Sequence, residues 1–418
     1  MAKLHQVVAP DFLFEMKSRK KIVFVAMSGG VDSSVAALLL KRRGYQVVGI
    51  FIHSYNLDGC EEKDARDARL AAAKIKIPFY TWNLEKEYRE KVVEYMVRGY
   101  RQGITPNPDI VCNQEIKFGL FFKKAIEAGA DFVATGHYVQ KRDSKIRTRL
   151  NPSASHRFVD SDKFVASDRF VVSHRFVDSD AFVVLNRYRL FQAKDKNKDQ
   201  SYFLWTLKQE QLKHCLFPIG RYLKPEVRQI AEKAGLPNAR KKDSQGICFL
   251  GKIKMIDFLK QRIPEKRGAV LTVEGEEIGE HRGVWFYTIG QRHIGILNFC
   301  GRRSDSSEPH YVVEKDVKKN ILIVAQGENH PALYKNEINL TQVNFINPQL
   351  ITNNKEQHVC ARVRYRQTLA KAKLTCYQSS TINCRLIFEK PVKFIAPGQS
   401  AVFYGKNQEL LGGGIISI

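Results

Sequence analysis

Apolar runs alternate with amphipathic stretches over residues 21–139 of the chain. "KIVFVAM" (21–27) reads as a buried strand and "DSSVAALLLKRRG" (32–44) as a helix. "QVVGIFIHS" is a strand, "KDARDARLAAAKIKI" a helix and "FYTWNL" a short strand. "EKEYREKVVEYMVRGYRQG" and "EIKFGLFFKKAIEAGA" read as helices, and "DFVATGHYV" as a strand. Strands alternating with helices predict an α/β domain, with a parallel sheet covered on both faces.

Beyond residue 154 the pattern changes. SHRFVD, SDKFVA, SDRFVV, SHRFVD and SDAFVV repeat with a period of six, marked by Phe158, Phe164, Phe170, Phe176 and Phe182. An even period keeps every Phe on one face of an extended chain. In a helix six residues advance about 600° and scatter the rings. The repeat, residues 153–184, therefore reads as an insertion at a hairpin tip, between the strand-like "HYVQKR" and "RYRLFQAK". "KDQSYFLWTLKQEQLKHCLFPIG" and "KPEVRQIAEKAG" read as helices that close the first domain. Residues 252–307 form a short mixed region with a helix from Lys254 to Gln261. From Glu308 the pattern is all β and predicts a small barrel, beginning with the hairpin "HYVVEKDVKKNILIVAQG". The organisation expected is an extension at 1–20, an α/β domain at 21–251, a small central domain at 252–307 and a barrel at 308–418.

Charge narrows the partners. A net charge of +25 over 418 residues favours a polyanion, nucleic acid first, because Lys and Arg near phosphates release condensed counterions. No run of 18 apolar residues predicts a membrane span. The first 21 residues lack the apolar core of a signal peptide, and Asp11 and Glu15 count against a mitochondrial presequence. They read as an extension, or Met16 is the true start. The eight cysteines form no C-x-x-C pair and no zinc-finger spacing, so a reducing, cytoplasmic setting with mostly buried free thiols is expected.

Three segments carry chemistry. "AMSGGVDSS" joins a strand to a helix with glycines at 29 and 30 but no Gly-Lys-Ser/Thr. Glycine amides, the hydroxyls of Ser28, Ser33 and Ser34 and a helix N-terminus suit an anion. Asp32 can cap the helix or hold a magnesium ion on phosphate oxygens. The stretch resembles the pyrophosphatase loop of adenylating enzymes that cleave ATP between the α and β phosphates. In "TPNPDIVCNQEIKFG", two prolines stiffen the loop and Asp109 lies three residues before Cys112, on one face of a helical turn. That spacing suits a nucleophile or a buried structural thiol equally. In "KKDSQGICFLG", Cys248 sits in a glycine-flanked loop near Lys241 and Lys242, a setting that favours thiolate.

Together "AMSGGVDSS", "TPNPDIVCNQEIKFG", "ATGHYV", "NKDQSYFL", "KKDSQGICFLG", "RYRQT" and "PGQSAVFY" resemble, in this order, the tRNA-specific 2-thiouridylase family. The match spans almost the whole chain outside the first 20 residues and the hexads. It implies three domains, with an adenine nucleotide alpha-hydrolase type of α/β domain first. It implies an enzyme that replaces the C2 oxygen of the wobble uridine of tRNA with sulfur, using ATP with Mg2+ and a persulfide from a donor protein. By the same resemblance, Ala26, Met27, Ser28, Gly29, Gly30, Val31, Asp32 and Ser33, with Ile52 and Gly136, meet the nucleotide. Asn107, Pro108 and Asp109 meet the target base. Cys112 is the nucleophile and Cys248 the persulfide carrier, and the two pass through a transient disulfide. His137, Lys198, Asp199, Gln200, Arg364, Tyr365 and Gln399 fall to tRNA. The chemistry is coherent: adenylation turns a poor leaving oxygen into AMP, pyrophosphate is held by backbone donors, and a thiol releases the persulfide sulfur. The sequence departs from the family after "GQR", where "HIGILNFCGRRSDSS" replaces a glycine-rich continuation. Two other readings are an amide-forming adenylating enzyme acting on a small molecule and an RNA-binding protein without activity. The first leaves both cysteine segments and the charge unexplained; the second leaves the intact loop and thiols unexplained.

Overall fold

A computed structural model describes residues 20–55, 57, 59–149, 182–243, 253–292, 294–296, 308–348, 355–378 and 382–417. The first part of the chain contains β1 (Ile22–Ala26), β2 (Gln46–His53), β3 (Phe79–Asn83), β4 (Phe132–Ala134), β5 (Val139–Arg149), β6 (Phe182–Gln192) and β7 (Cys215–Leu216). Five of them form a parallel sheet in the order β3-β2-β1-β4-β7. Alternate residues of β1 enter two separate cores. Val23 and Val25 pack with α1 (Val31–Arg42) and α2 (Cys60–Ile75), while Phe24 and Ala26 face Phe118, Phe121 and Ala125 on the opposite side. Two buried faces explain why the strands read as unbroken apolar runs.

β5 and β6 form a hairpin paired at every position from Val139↔Gln192 to Arg149↔Phe182. The expected hairpin is therefore present. Residues 150–181 lie outside the described residues, and Phe182–Val184, the end of the fifth hexad, belong to β6.

The long helix expected after Lys198 is not formed. The chain makes a 3-10 turn at Ser201–Leu204 and a helix at Gln209–His214, then enters β7. Asp199 is the reason: its carboxylate accepts the N–H groups of Ala193 and Ser201 at 3.0 and 3.3 Å, local bonds that compete with a helix.

β8 (Gly268–Thr272), β9 (Glu277–His281), β10 (His310–Asp316) and β11 (Ile321–Gln326) form the central sheet in the order β10-β11-β8-β9. The hairpin expected to open the barrel is β10–β11, and β11 runs parallel to β8. The central domain thus extends past residue 307. Alternation in a sequence identifies a strand but not the sheet it joins.

β12 (Tyr334–Phe345), β13 (Glu356–Arg362), β14 (Ala370–Gln378), β15 (Ile382–Lys393), β16 (Ser400–Tyr404) and β17 (Glu409–Ser417) make the barrel. They run β12-β15-β14-β13-β16-β17, and β12–β17 pairing closes the ring. β17 also pairs with β6 at Glu409↔Phe191 and Leu410↔Leu190, which ties the barrel to the first domain. Cys376 and Cys384 stand opposite each other on β14 and β15 and are joined as a disulfide. The expectation of free buried thiols holds for Cys112 and Cys215 and fails for this pair. Cross-strand register brings the two sulfurs together, and a spacing of eight residues hides that from the sequence. Among the described residues no helix is long and apolar enough to cross a membrane.

Candidate active site

The loop after β1 is wired before any ligand arrives. The Met27 N–H donates to the Ile50 carbonyl at 2.8 Å, so the loop leaves the sheet from a fixed point. Gly29 has φ +74°, and a Cβ there would lie 2.3 Å from the Asp64 carbonyl oxygen. Only glycine fits both the conformation and the approach. Gly30 is the N-cap of α1, and its carbonyl accepts the Ser33 and Ser34 hydroxyls at 3.2 and 3.1 Å. The Ser28 N–H donates to Ser33 Oγ at 3.2 Å. Asn238 Nδ2 donates to the Gly29 carbonyl and to Ser34 Oγ, both at 2.9 Å. Val31 opens the helix, and Asp32 lies in its first turn. The Asp32 carboxylate accepts the Tyr138 hydroxyl at 2.7 Å and the Lys224 ammonium at 2.8 Å on each oxygen. Ala26 ends β1, Ile52 lies near the end of β2, and Gly136 follows β4. A Cβ on Gly136 would stand 2.7 Å from the Ser33 nitrogen, so a glycine is what lets the end of β4 touch the first turn of α1. The loop and Gly136 are thus in contact, and Ile52 lies at the same end of the neighbouring parallel strand.

The thiol segment is built differently. Asn107 caps a short helix, Pro108–Val111, by accepting the Ile110 N–H at 3.3 Å, with Pro108 in the first turn. From Cys112 to Phe121 the helix widens into a π-type segment. Such segments are rare and frequently found at functional sites. Cys112 is 5% exposed, in the core shared by Tyr88, Val92 and Met96 with Val270 and Val312 of the central domain. Burial pushes its thiol above the ordinary value, and Asp109 adds to this. Lys117 and a bond from the Tyr88 hydroxyl act the other way. Burial also raises the Asp109 carboxyl, opposed by Lys117. Asp109 and Cys112 do share one turn of helix.

Lys117 and Tyr88 were not apparent in the sequence. Lys117 follows Cys112 by five residues, a spacing that in an α-helix turns about 500° and places it on another face. The π-type segment, with bonds from i to i+5, removes that separation. Lys117 also lowers His137, whose imidazole is held neutral mainly by burial. His137 Nδ1 shares a hydrogen bond with Thr135 Oγ1 at 2.8 Å, and its ring meets Phe118 at 5.9 Å. Through Gly136, His137 and Phe118 the loop and the thiol segment are therefore neighbours.

Cys248 lies outside the described residues. Of its two nearby lysines, Lys241 is tied to Asp64 and Asp67 of α2 at 2.7 and 2.5 Å, so its charge is already matched. Asp243 is held by Lys198 at 2.6 Å, Lys224 at 2.8 Å and Arg228 at 2.9 Å. Burial alone would raise its carboxyl, but the ammonium groups of Lys198 and Lys224 bring it down to about 2.

The residues assigned to tRNA divide in two. Lys198 and the exposed Lys196, Asn197 and Arg366 line a cleft of about 330 Å³ at the junction of the first domain and the barrel. Tyr365 lies 4.5 Å from the Phe203 ring, and the Arg366 guanidinium rests over Tyr365. The others are bonded to groups of the protein itself. Asp199 is 2% exposed and pairs with the buried Arg362 at 2.5 Å. Gln200 exchanges bonds with the Tyr138 backbone, accepting at Oε1 and donating from its N–H, both at 2.9 Å. Arg364 donates to the Ile289 carbonyl of the central domain. Gln399 donates to the carbonyls of Thr105 and Pro106 at 3.0 and 3.2 Å, and the Thr105 N–H donates to Pro397. The barrel therefore clasps the segment that leads into Asn107.

Three family models match the chain in order. Residues 21–252 match a tRNA methyl transferase HUP domain, 256–326 a tRNA methyl transferase PRC-barrel domain and 335–416 an aminomethyltransferase beta-barrel domain. The tRNA-specific 2-thiouridylase MnmA of Photorhabdus laumondii is 42% identical over 405 residues, covering 96% of this chain and 97% of that protein. The tRNA-specific 2-thiouridylase MnmA of Streptococcus thermophilus is 41% identical over 404 residues, covering 95% of each.

Proposed function

This chain belongs to the tRNA-specific 2-thiouridylase family, and on that premise we propose that it forms 2-thiouridine at the wobble position of tRNA. It is a tRNA sulfurtransferase. The observation that carries the detailed reading is the junction of an anion-binding loop with a buried thiol through Gly136, His137 and Phe118. The family-model descriptions speak of methyl transfer. The thiol beside Asp109 and Lys117, with the names of the relatives, favours sulfur.

In this reading the C2 oxygen of the base attacks the α phosphate of ATP, and pyrophosphate departs into the loop of Ser28 to Ser33. The amides of a helix N-terminus stabilise the departing charge. The terminal sulfur of a persulfide on Cys248 attacks C2, and AMP leaves with the oxygen. Cys112 then attacks the inner sulfur, releasing the 2-thiouridine and leaving a Cys112–Cys248 disulfide that an external thiol must reduce. The raised thiol of Cys112 keeps it protonated until it is needed, and Lys117 supplies the field that favours the thiolate. Asn107, Pro108 and Asp109 would receive the base after it leaves its stack, at a cost of a few kcal/mol.

Among the described residues no group of three or more His, Cys, Asp or Glu could hold a metal. The donor set fits a magnesium ion carried by the nucleotide, with Asp32 the carboxylate at the loop. Bound there, magnesium would neutralise charge on the phosphates. The basic cleft at Lys196, Lys198 and Arg366 suits the tRNA backbone. A persulfide-carrying protein is the proposed sulfur donor and the cytoplasm the proposed compartment. Incubation with ATP, magnesium, a persulfide donor and unmodified tRNA, followed by nucleoside mass spectrometry, tests the reading. 2-Thiouridine is expected; cleavage of ATP to AMP with no thiouridine overturns it.

A further inference from the structure

We propose that Lys224 is the phosphate-binding cation that the glycine-rich loop itself lacks. Held on Asp32 and Asp243 before ATP binds, its ammonium group moves onto the β and γ phosphate oxygens and stays with the pyrophosphate as it departs. The proposal deepens the reading of the loop as a pyrophosphate site and rests on it.

Four observations converge on this side chain. Lys224 is the first residue of a ten-residue helix, Lys224–Lys233, and its backbone N–H donates to Asp195 at 2.9 Å. Its base is therefore fixed. Its side chain is 9% exposed, and Nζ reaches both Asp32 oxygens and Asp243 Oδ1 at 2.8 Å. A lysine is seldom buried without a specific use for its charge. Asp32 is 31% exposed and lies in the first turn of α1, so the pair is reachable from solvent at the helix end that the loop enters. Tyr138, whose hydroxyl holds Asp32, has its ring 5.9 Å from Nζ, so an aromatic ring also borders the ammonium.

Charge makes the arrangement necessary. A bare Asp32 carboxylate in the first turn of α1 would repel a phosphate approaching the same helix end. Lys224 cancels that repulsion while the site waits. When phosphates arrive, the flexible four-carbon stem lets Nζ shift towards them without moving the helix. Asp243 keeps its own neutralisation from Lys198 and Arg228 when Lys224 moves. Two neighbouring cations are committed elsewhere: Lys241 to Asp64 and Asp67, and Arg228 to Asp243 and the carbonyls of Ala239 and Lys241. A kinase-type loop carries its lysine within the motif. Here a helix almost two hundred residues later supplies one, at a separation of 192 positions.

The test uses the full-length protein and sodium pyrophosphate. Its binding is read from product inhibition of thiolation and from the rise in melting temperature it causes. Lys224→Met is expected to weaken pyrophosphate and raise the KM for ATP, each by about ten-fold or more, and to leave tRNA affinity unchanged. Lys224→Arg should restore part of the loss. If Lys224→Met binds pyrophosphate as tightly as the parent, the proposal is overturned and Lys224 is a structural tie. Ser33→Ala separates the two levels of inference. If Ser33→Ala weakens pyrophosphate and Lys224→Met does not, the lysine assignment alone fails. If neither does, the loop is not the pyrophosphate site. Should Lys224→Met fail to fold, Lys224→Met with Asp32→Asn removes the orphaned carboxylate, and its pyrophosphate affinity compared with that of Asp32→Asn alone decides the question in the same way.

Discussion

The glycine-rich loop and the thiol segment are neighbours built on opposite principles. In the loop nearly every polar group has a partner within the protein: the Ser33 and Ser34 hydroxyls on Gly30, Asn238 on Gly29, and Asp32 between Tyr138 and Lys224. In the thiol segment the groups are buried against their preference. Burial raises both Cys112 and Asp109. A buried oxygen without a hydrogen-bond partner occurs on each side, Asn113 Oδ1 in the thiol segment and Asn238 Oδ1 beside the loop. The loop is organised in advance, which would lower the cost of binding the proposed anion. The thiol segment stores unfavourable burial that a substrate can relieve. Stability and reactivity are thus placed in different pieces of backbone.

Substitutions in the two regions should fail in different ways. The largest effect is expected at Cys112→Ser: thiouridine formation is lost while the tRNA dissociation constant is unchanged, as measured by mass spectrometry and filter binding. Thiolation surviving this change would remove Cys112 from the chemistry. Next, Asn238→Ala leaves the Gly29 carbonyl and Ser34 Oγ without their donor. A buried polar group so exposed costs about 1–3 kcal/mol, or roughly 5- to 150-fold in ATP affinity if the loop bears the loss. An unaltered KM for ATP would show that the loop holds its shape without that bond.

Smaller effects sharpen the thiol side. Because burial raises the Cys112 thiol, its alkylation by iodoacetamide should keep accelerating with pH beyond the ordinary thiol value of 9.0. Lys117→Met removes a field that lowers the thiol and should slow alkylation several-fold near neutrality. An equal rate would mean that Lys117 does not act on the sulfur. The smallest change in stability is expected at Asp109→Asn. A carboxyl raised in the fold above 3.8 contributes stability fully present below its unfolded value and lost as pH rises through its folded value. At pH 7 the amide should therefore melt slightly higher than the parent and yet thiolate poorly. A lower melting temperature at pH 7 would contradict stored strain at Asp109.

Much of this was legible in the sequence. The strand, loop and helix around Gly29 and Gly30 follow from local periodicity and turn residues, as does the helical turn that joins Asp109 to Cys112. Lys224 was not legible, because 192 positions separate it from Asp32 and only the packing of its helix on α1 brings them together. Lys117 was hidden by the π-type segment, which alters the spacing rule itself. The resemblance gives Asp199 and Gln399 to tRNA; in the fold Asp199 is buried against Arg362, and the half-buried Gln399 donates to the Thr105 and Pro106 carbonyls.

The chain by itself determined the alternation of strands and helices in the first domain, a glycine-rich loop suited to the proposed anion, the presence of candidate thiols and a charge suited to RNA. These depend on neighbours a few residues apart, or on sums over the whole chain. Only the tertiary structure decided which sheet the 310–326 hairpin joins, that Cys376 meets Cys384, and which cations reach the loop. Such outcomes depend on register between distant strands and on competition among carboxylates for a limited set of cations. Those energies exist only once the chain has packed.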